Sequence, residues 1–140
     1  MELTWSQVET LTDKLSERVK DSNFSPNYLV AVARGGFVPA RLLSTRLSIK
    51  RLGSVGIAYT GPDRTDRQIY GSPQLLQRSD RILLVEDALE SGRSLADCRM
   101  LLEDSGATVK TVCYFYRQNA VVVPDYSLGS TTSIPRFPWE

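Results

Sequence analysis

Histidine is absent from the 140 residues. Without imidazole the chain cannot build a His-based nucleophilic triad, and a zinc site loses its commonest nitrogen ligand. Acid–base chemistry is left to Asp, Glu, Lys, Tyr and Cys. Cysteine is scarce as well. Cys98 and Cys113 fall inside expected regular structure without a paired spacing, which points to reduced core thiols rather than a disulfide or a metal site. Long hydrophobic runs are missing: YLVAVA is far short of a membrane span, and the first residues lack a signal-peptide profile. A cytoplasmic protein with no membrane span is the expectation. Charge of one sign is missing too. Seventeen basic residues against sixteen acidic ones leave a net charge of +1, so no global field argues for a nucleic-acid partner.

What is present suffices for one core, with 41% of residues apolar, and a single domain over residues 1–140 is expected. Ser6 and Glu9 read as a capping box opening a helix with Val8, Leu11, Leu15 and Val19 on one face. SNFSPN ends that helix, and YLVAVA follows as a strand of the kind buried on both faces. RGG then turns the chain into a second helix, FVPARLLSTRL, with Pro39 in its first turn. SVGIAY is the next strand. Thr60 to Ser79, with two prolines, two glycines and many polar residues, reads as a long mobile loop of a length that tends to be functional. RILLVED is a third core strand, SLADCRMLLEDSG a helix ended by Gly106, and TVKTVCYFY a fourth strand before a short strand and an irregular tail. Strands alternate with helices, which predicts an α/β domain with a mainly parallel twisted sheet flanked by helices.

In such sheets ligands bind beyond the carboxyl ends of the strands. Two strand-to-helix turns have unusual compositions there, Ala33 to Gly36 (ARGG) and Glu86 to Ser94 (EDALESGRS). Glycine lets backbone N–H groups approach an anion, and a following helix N-terminus adds partial positive charge. Ser91, Gly92, Arg93 and Ser94 therefore read as a phosphate cradle, and Arg34 beside Gly35 suits a second anion. Glu86 and Asp87 can accept hydrogen bonds from vicinal sugar hydroxyls or sit near a divalent cation. Taken singly, Arg34 or Asp87 is better explained as part of an ordinary turn or helix cap. The ordered set of apolar strand, two acids, a third acid, Ser-Gly-x-Ser and helix is much harder to obtain by chance. Neither G-x-G-x-x-G nor a complete ATPase phosphate loop is present.

ILLVEDALESGRS resembles the phosphoribosyl pyrophosphate (PRPP) motif of the type I phosphoribosyltransferases, and VAVARGGFVPARLL resembles their pyrophosphate loop. LTWSQVETL, the loop before the motif and the ending FPWE are most similar to the xanthine-guanine and hypoxanthine phosphoribosyltransferases of bacteria and archaea. The resemblance implies that fold with a small C-terminal hood. It implies transfer of ribose 5-phosphate from PRPP to a 6-oxopurine base, giving a nucleoside monophosphate and pyrophosphate in purine salvage. Glu86 and Asp87 would hold the ribose hydroxyls and Mg2+. Glu90 would face the purine N7 as the proton acceptor. Ser91, Gly92, Arg93, Ser94 and Leu95 would bind the 5′-phosphate, Arg34 and Gly35 pyrophosphate. Arg67 would be a mobile cation closing over pyrophosphate, with Arg117, Ile134, Trp139 and Glu140 at the base. A homo-oligomer, dimer or tetramer, is implied as well. The chain departs from the family pattern at three positions. Glu90 replaces the usual Asp, Arg117 a lysine that reads the 6-oxo group, and Ile134 a stacking Trp. A PRPP-binding regulator, or a phosphoribosyltransferase acting on a non-purine base, is the alternative.

Overall fold

The computed structural model describes residues 1–73 and 76–140. Helix α1 (Trp5–Lys20) is followed by strand β1 (Tyr28–Val32), helix α2 (Phe37–Arg46), and strands β2 (Leu52–Thr60), β3 (Asp66–Tyr70) and β4 (Arg81–Val85). A two-residue strand β5 (Ala88–Leu89) precedes helix α3 (Arg93–Asp104). Strands β6 (Thr108–Val112), β7 (Phe115–Arg117) and β8 (Ser130–Thr131) complete the chain. The main sheet has the order β3-β2-β1-β4-β6, parallel except for β3, and a small sheet has the order β5-β7-β8.

Alternation along the central strands divides the core in two, because successive side chains point to opposite faces. Val30, Val32, Ile82 and Leu84 pack under α3 with Leu95, Cys98 and Leu102. Leu29, Ala31, Leu83 and Val85 pack under α1 and α2 with Val8, Leu15 and Leu43. Both faces of β1 are covered, as its unbroken apolar run predicts. The two cysteines are free and buried, and burial pushes the Cys98 thiol up to about 12, so it stays protonated in the core.

Three local expectations shift. The capping box of α1 is Thr4 with Gln7, two residues before the Ser6–Glu9 pair: the Thr4 hydroxyl accepts from the Gln7 amide at 3.1 Å, and Gln7 Oε1 accepts from the Thr4 amide at 2.8 Å. Gln completes a box as well as Glu does, so both spacings satisfied the same pattern. The Thr60–Ser79 segment contains β3, an edge strand paired antiparallel with β2 and exposed along its length. Gln74 and Leu75, inside that expected loop, lie outside the described residues. The TVKTVCYFY strand is two strands, β6 in the main sheet and β7 in the small one.

Candidate active site

The sheet order reverses between β1 and β4. The chain leaves β1 through α2 to reach β2 on one side, and leaves β4 through α3 to reach β6 on the other. This is a topological switch point, where the turns after two adjacent parallel strands diverge and leave a crevice. β1 and β4 pair in register, Ala31 with Val85, so the ARGG and EDALESGRS turns emerge side by side. The peptide between Ala33 and Arg34 is cis.

Glycine is required in both turns. A Cβ on Gly36 would lie 2.1 Å from the Val85 carbonyl oxygen, and one on Gly35 would lie 2.6 Å from Asp87 Oδ1 and 2.7 Å from Glu86 Oε1. At Gly36 the obstacle is backbone, so the ARGG turn can rest against the end of β4 only with glycine there; at Gly35 it is the tips of two acidic side chains, which would have to swing aside. Gly92 sits at φ +79°, the left-handed region, as the residue before the first turn of α3. Among the described residues the N-cap Gly92 offers α3 no side-chain cap and no acid stands in its first turn, which leaves the N–H groups beyond Arg93 and the helix dipole for an anion. Ser91 orients this turn by accepting from the Arg93 amide at 3.2 Å, and the Ser91 carbonyl accepts from the Val121 amide at 2.8 Å. A hollow of about 200 Å3 opens here, lined by Glu86 and residues 88–95.

Glu86 and Asp87 stand at the end of β4 without a cationic partner among the described residues. Burial, with the neighbouring Asp87 charge behind it, raises the Glu86 carboxyl well above its usual value. Glu86 Oε1 accepts from the Asp87 amide at 3.1 Å, Asp87 Oδ1 from the Ala88 amide at 2.7 Å, and Asp87 Oδ2 from Trp139 Nε1 at 3.0 Å. Such an uncompensated acid pair fits a ligand that brings its own divalent cation. No cluster of three or more ligating side chains forms among the described residues. Mg2+ commonly uses one or two carboxylates and completes its shell with water and ligand phosphates, and this donor set suits that mode.

The sequence-predicted residues separate into groups. Glu86, Asp87, Glu90 and Ser91 to Leu95 share one turn, with Gly35 packed against it and Arg34 exposed beside it. Arg117, on β7, is brought to Glu90 as an ion pair, because β7 pairs with β5 just before Glu90. The Arg117 atom in this contact is its buried Nε, which faces Glu90 Oε2 without an aligned hydrogen bond. Ile134 is half-buried and packs on the α1/α2 side of the core. Trp139 reaches Asp87, and Glu140 folds back so that Oε2 accepts from the Phe137 amide at 2.6 Å. Arg67 does not line the phosphate hollow. It lies on β3 and pairs with Asp97 of α3 at 3.0 Å.

Asp97 and Tyr59 were not singled out from sequence. The Tyr59 hydroxyl donates to Asp97 Oδ2 at 2.6 Å, and Arg93 covers the Tyr59 ring at 3.8 Å while donating to the Arg64 carbonyl at 3.0 Å. Arg93 and Asp97 stand at i and i+4, so a shared face of α3 was a visible signal. That the β2–β3 hairpin would lie on this face was not.

The fold is an α/β fold with a crevice beyond the carboxyl ends of the central strands β1 and β4. A family model for the phosphoribosyl transferase domain matches residues 3–140, and the chain belongs to that family. The xanthine-guanine phosphoribosyltransferase of Cereibacter sphaeroides is 27% identical over 105 residues, covering 71% of this chain. The match spans 63% of that relative's own length. The purine phosphoribosyltransferase of Pyrococcus horikoshii OT3 superposes with a TM-score of 0.89 at 29% identity, over 100% of this chain and 93% of that one. The xanthine-guanine-hypoxanthine phosphoribosyltransferase of Helicobacter pylori shares the fold, with a TM-score of 0.86 at 21% identity over 98% and 91% of the two chains.

Proposed function

We propose that the protein transfers ribose 5-phosphate from PRPP to a 6-oxopurine base in cytoplasmic purine salvage, releasing pyrophosphate. The observation that carries this reading is the packing of Gly35 and Gly36 against Glu86, Asp87 and the end of β4, next to the uncapped N-terminus of α3. Two anion-binding turns and an acid pair suit a sugar with phosphate at one end and pyrophosphate at the other. The first turn of α3 and Ser91 would hold the 5′-phosphate, Arg34 and the ARGG backbone the pyrophosphate, and Asp87 with Glu86 the ribose diol. Mg2+, held by these carboxylates and the ligand phosphates, would supply charge neutralisation at the leaving pyrophosphate.

The C1–O bond to pyrophosphate breaks, a C1–N bond to the base forms, and the proton displaced from the purine ring passes to the Glu90 carboxylate. General-base help of this kind is worth ~100- to 10,000-fold in rate. Positive charge growing on the sugar ring lies near Glu86 and Asp87. Arg117 supplies the fork of donors for an exocyclic oxygen once its ion pair with Glu90, made through Nε, opens. Adenine would confront that cation with its amine.

A second reading, a base outside the purines, is favoured by Ile134, which packs into the core and offers no aromatic platform. One experiment separates the readings: a panel of purine and pyrimidine bases with PRPP and magnesium, followed by pyrophosphate release. Release with guanine, xanthine or hypoxanthine is expected. Release with a pyrimidine alone would establish the second reading, and PRPP binding without release for any base would mark a regulator.

A further inference from the structure

The carboxylate of Asp87 is held from two sides. Oδ1 accepts from the amide of the next residue, whereas Oδ2 accepts from an indole 52 positions later in the chain. The indole is itself immobilised. Its ring stacks on Phe137 at 4.8 Å with planes 10° apart, and the Tyr114 and Trp5 rings lie 6.5 Å and 5.9 Å away. Phe137 is buried in the core at 3% exposure. Glu140 closes the turn around it, with its side chain accepting from the Phe137 amide and its own amide donating to the Phe137 carbonyl at 3.1 Å. The first residues clamp the tail: Leu3 donates to the Arg136 carbonyl and Arg136 to the Met1 carbonyl, both at 2.9 Å.

We propose that Trp139 is a positioning residue for the ribose site, fixing the Asp87 carboxylate through Nε1. The chemistry favours an indole for this task. Lys or Arg would orient the carboxylate and also cancel its charge, whereas a neutral N–H orients it and leaves the full charge for a diol or a divalent cation. A carboxylate has about four acceptor sites, and the Ala88 amide and the Trp139 indole take two of them. The ligand in this inference rests on the phosphoribosyl reading above; the contact itself does not.

The test uses Trp139→Phe, which keeps the ring on Phe137 and deletes the donor. The dissociation constant and KM for PRPP with magnesium should rise roughly tenfold, as expected for loss of a charge-assisted hydrogen bond. The melting temperature should stay within a few degrees, which separates loss of this contact from loss of the fold. In an Asp87→Ala background the same change should add nothing. PRPP affinity unchanged in Trp139→Phe, or an equal loss with and without Asp87, would overturn the proposal. A second measurement needs no ligand: Asp87→Ala should speed solvent exchange of the Trp139 indole proton, assigned in a Trp5→Phe chain. If the wild-type protein takes no PRPP, the phosphoribosyl reading falls. The indole proton then still decides whether Trp139 holds Asp87, and exchange indifferent to Asp87 overturns that.

Discussion

Glu90 and Arg117 meet as an ion pair, so each group is occupied by the other until a base enters. The Glu90 side chain is 63% and the Arg117 side chain 42% exposed, and a partly exposed pair of this kind contributes little to stability, so separating them costs little. Replacing Glu90 by Gln keeps the shape and removes the proton acceptor. Turnover should fall by ~100-fold or more while the PRPP dissociation constant changes by less than about threefold. Steady-state kinetics with the preferred base, alongside calorimetry, separates the two quantities, and full activity in the variant would remove Glu90 from the chemistry. Asp80 represents the other kind of acid, one that serves the fold. It is 2% exposed and accepts from Arg51 at 2.6 Å, the Gln77 amide at 2.7 Å and Asn27 at 3.2 Å. Burial would raise its carboxyl, but these three donors outweigh burial and hold it below the usual range. The stabilisation is therefore complete above the ordinary carboxylate value of ~4 and drains as pH falls through the depressed one. Asp80→Asn should cost about 1–3 kcal/mol at pH 7 and flatten the acid limb of the stability curve, read by denaturant titration from pH 7 to pH 3.

The element whose behaviour the geometry constrains most is the β2–β3 hairpin. Strand β3 has one neighbour, β2, and its free edge and both faces are open to solvent. Its attachment to the body runs through polar contacts to α3: Tyr59 and Arg67 to Asp97, and Arg93 to the Arg64 carbonyl. Asp97→Asn weakens two of these contacts and leaves α3 otherwise intact. Amide exchange over Asp66–Tyr70 should accelerate several-fold in that variant, with α3 amides unchanged. PRPP with magnesium should slow the same amides in the wild-type chain, as expected of a segment that closes over pyrophosphate. Equal exchange in free and bound protein would remove the hairpin from the role of a lid, and Arg67 from that of its cation.

At the scale of the whole molecule, two of the exposed large apolar side chains flank α2 in sequence. Phe37, at its start, is 48% exposed and Leu52, at the start of β2, is 42% exposed. A groove of about 490 Å3 at the end of α2 is lined by Arg41, Ser44, Thr45, Ser48, Ile49, Lys50 and Leu52. The homo-oligomer that the family resemblance implies would bury this groove if it is a dimer built on this face. Light scattering at micromolar concentration should give about twice 15.7 kDa, and Leu52→Glu should shift the population towards monomer. A wild-type monomer at that concentration would refute the assignment. Among the described residues no helix is long and apolar enough to cross a membrane.

Much of this was legible in local patterns. The buried strands β1 and β4, the helices α1 and α3, and the glycine and acid turns at their ends each follow from a period or a composition that a short window contains. Strand β3 was not legible, because DRQIY is an exposed edge with no alternation of apolar and polar residues. Strands β5 and β7 are two and three residues long, too short to show a period. The site divides in the same way. Glu86, Asp87, Glu90 and the Ser91–Leu95 cradle are neighbours in sequence, so their assembly needs only one turn. Pairing Glu90 with Arg117, Trp139 with Asp87, Tyr59 with Asp97, or Thr12 with Tyr114 (2.6 Å between hydroxyls) depends on which strands lie side by side and where the tail returns. Backbone propensity acts over a few residues, whereas these contacts span 27 to 102 positions and exist only because burying the two faces of one sheet brings their carriers together.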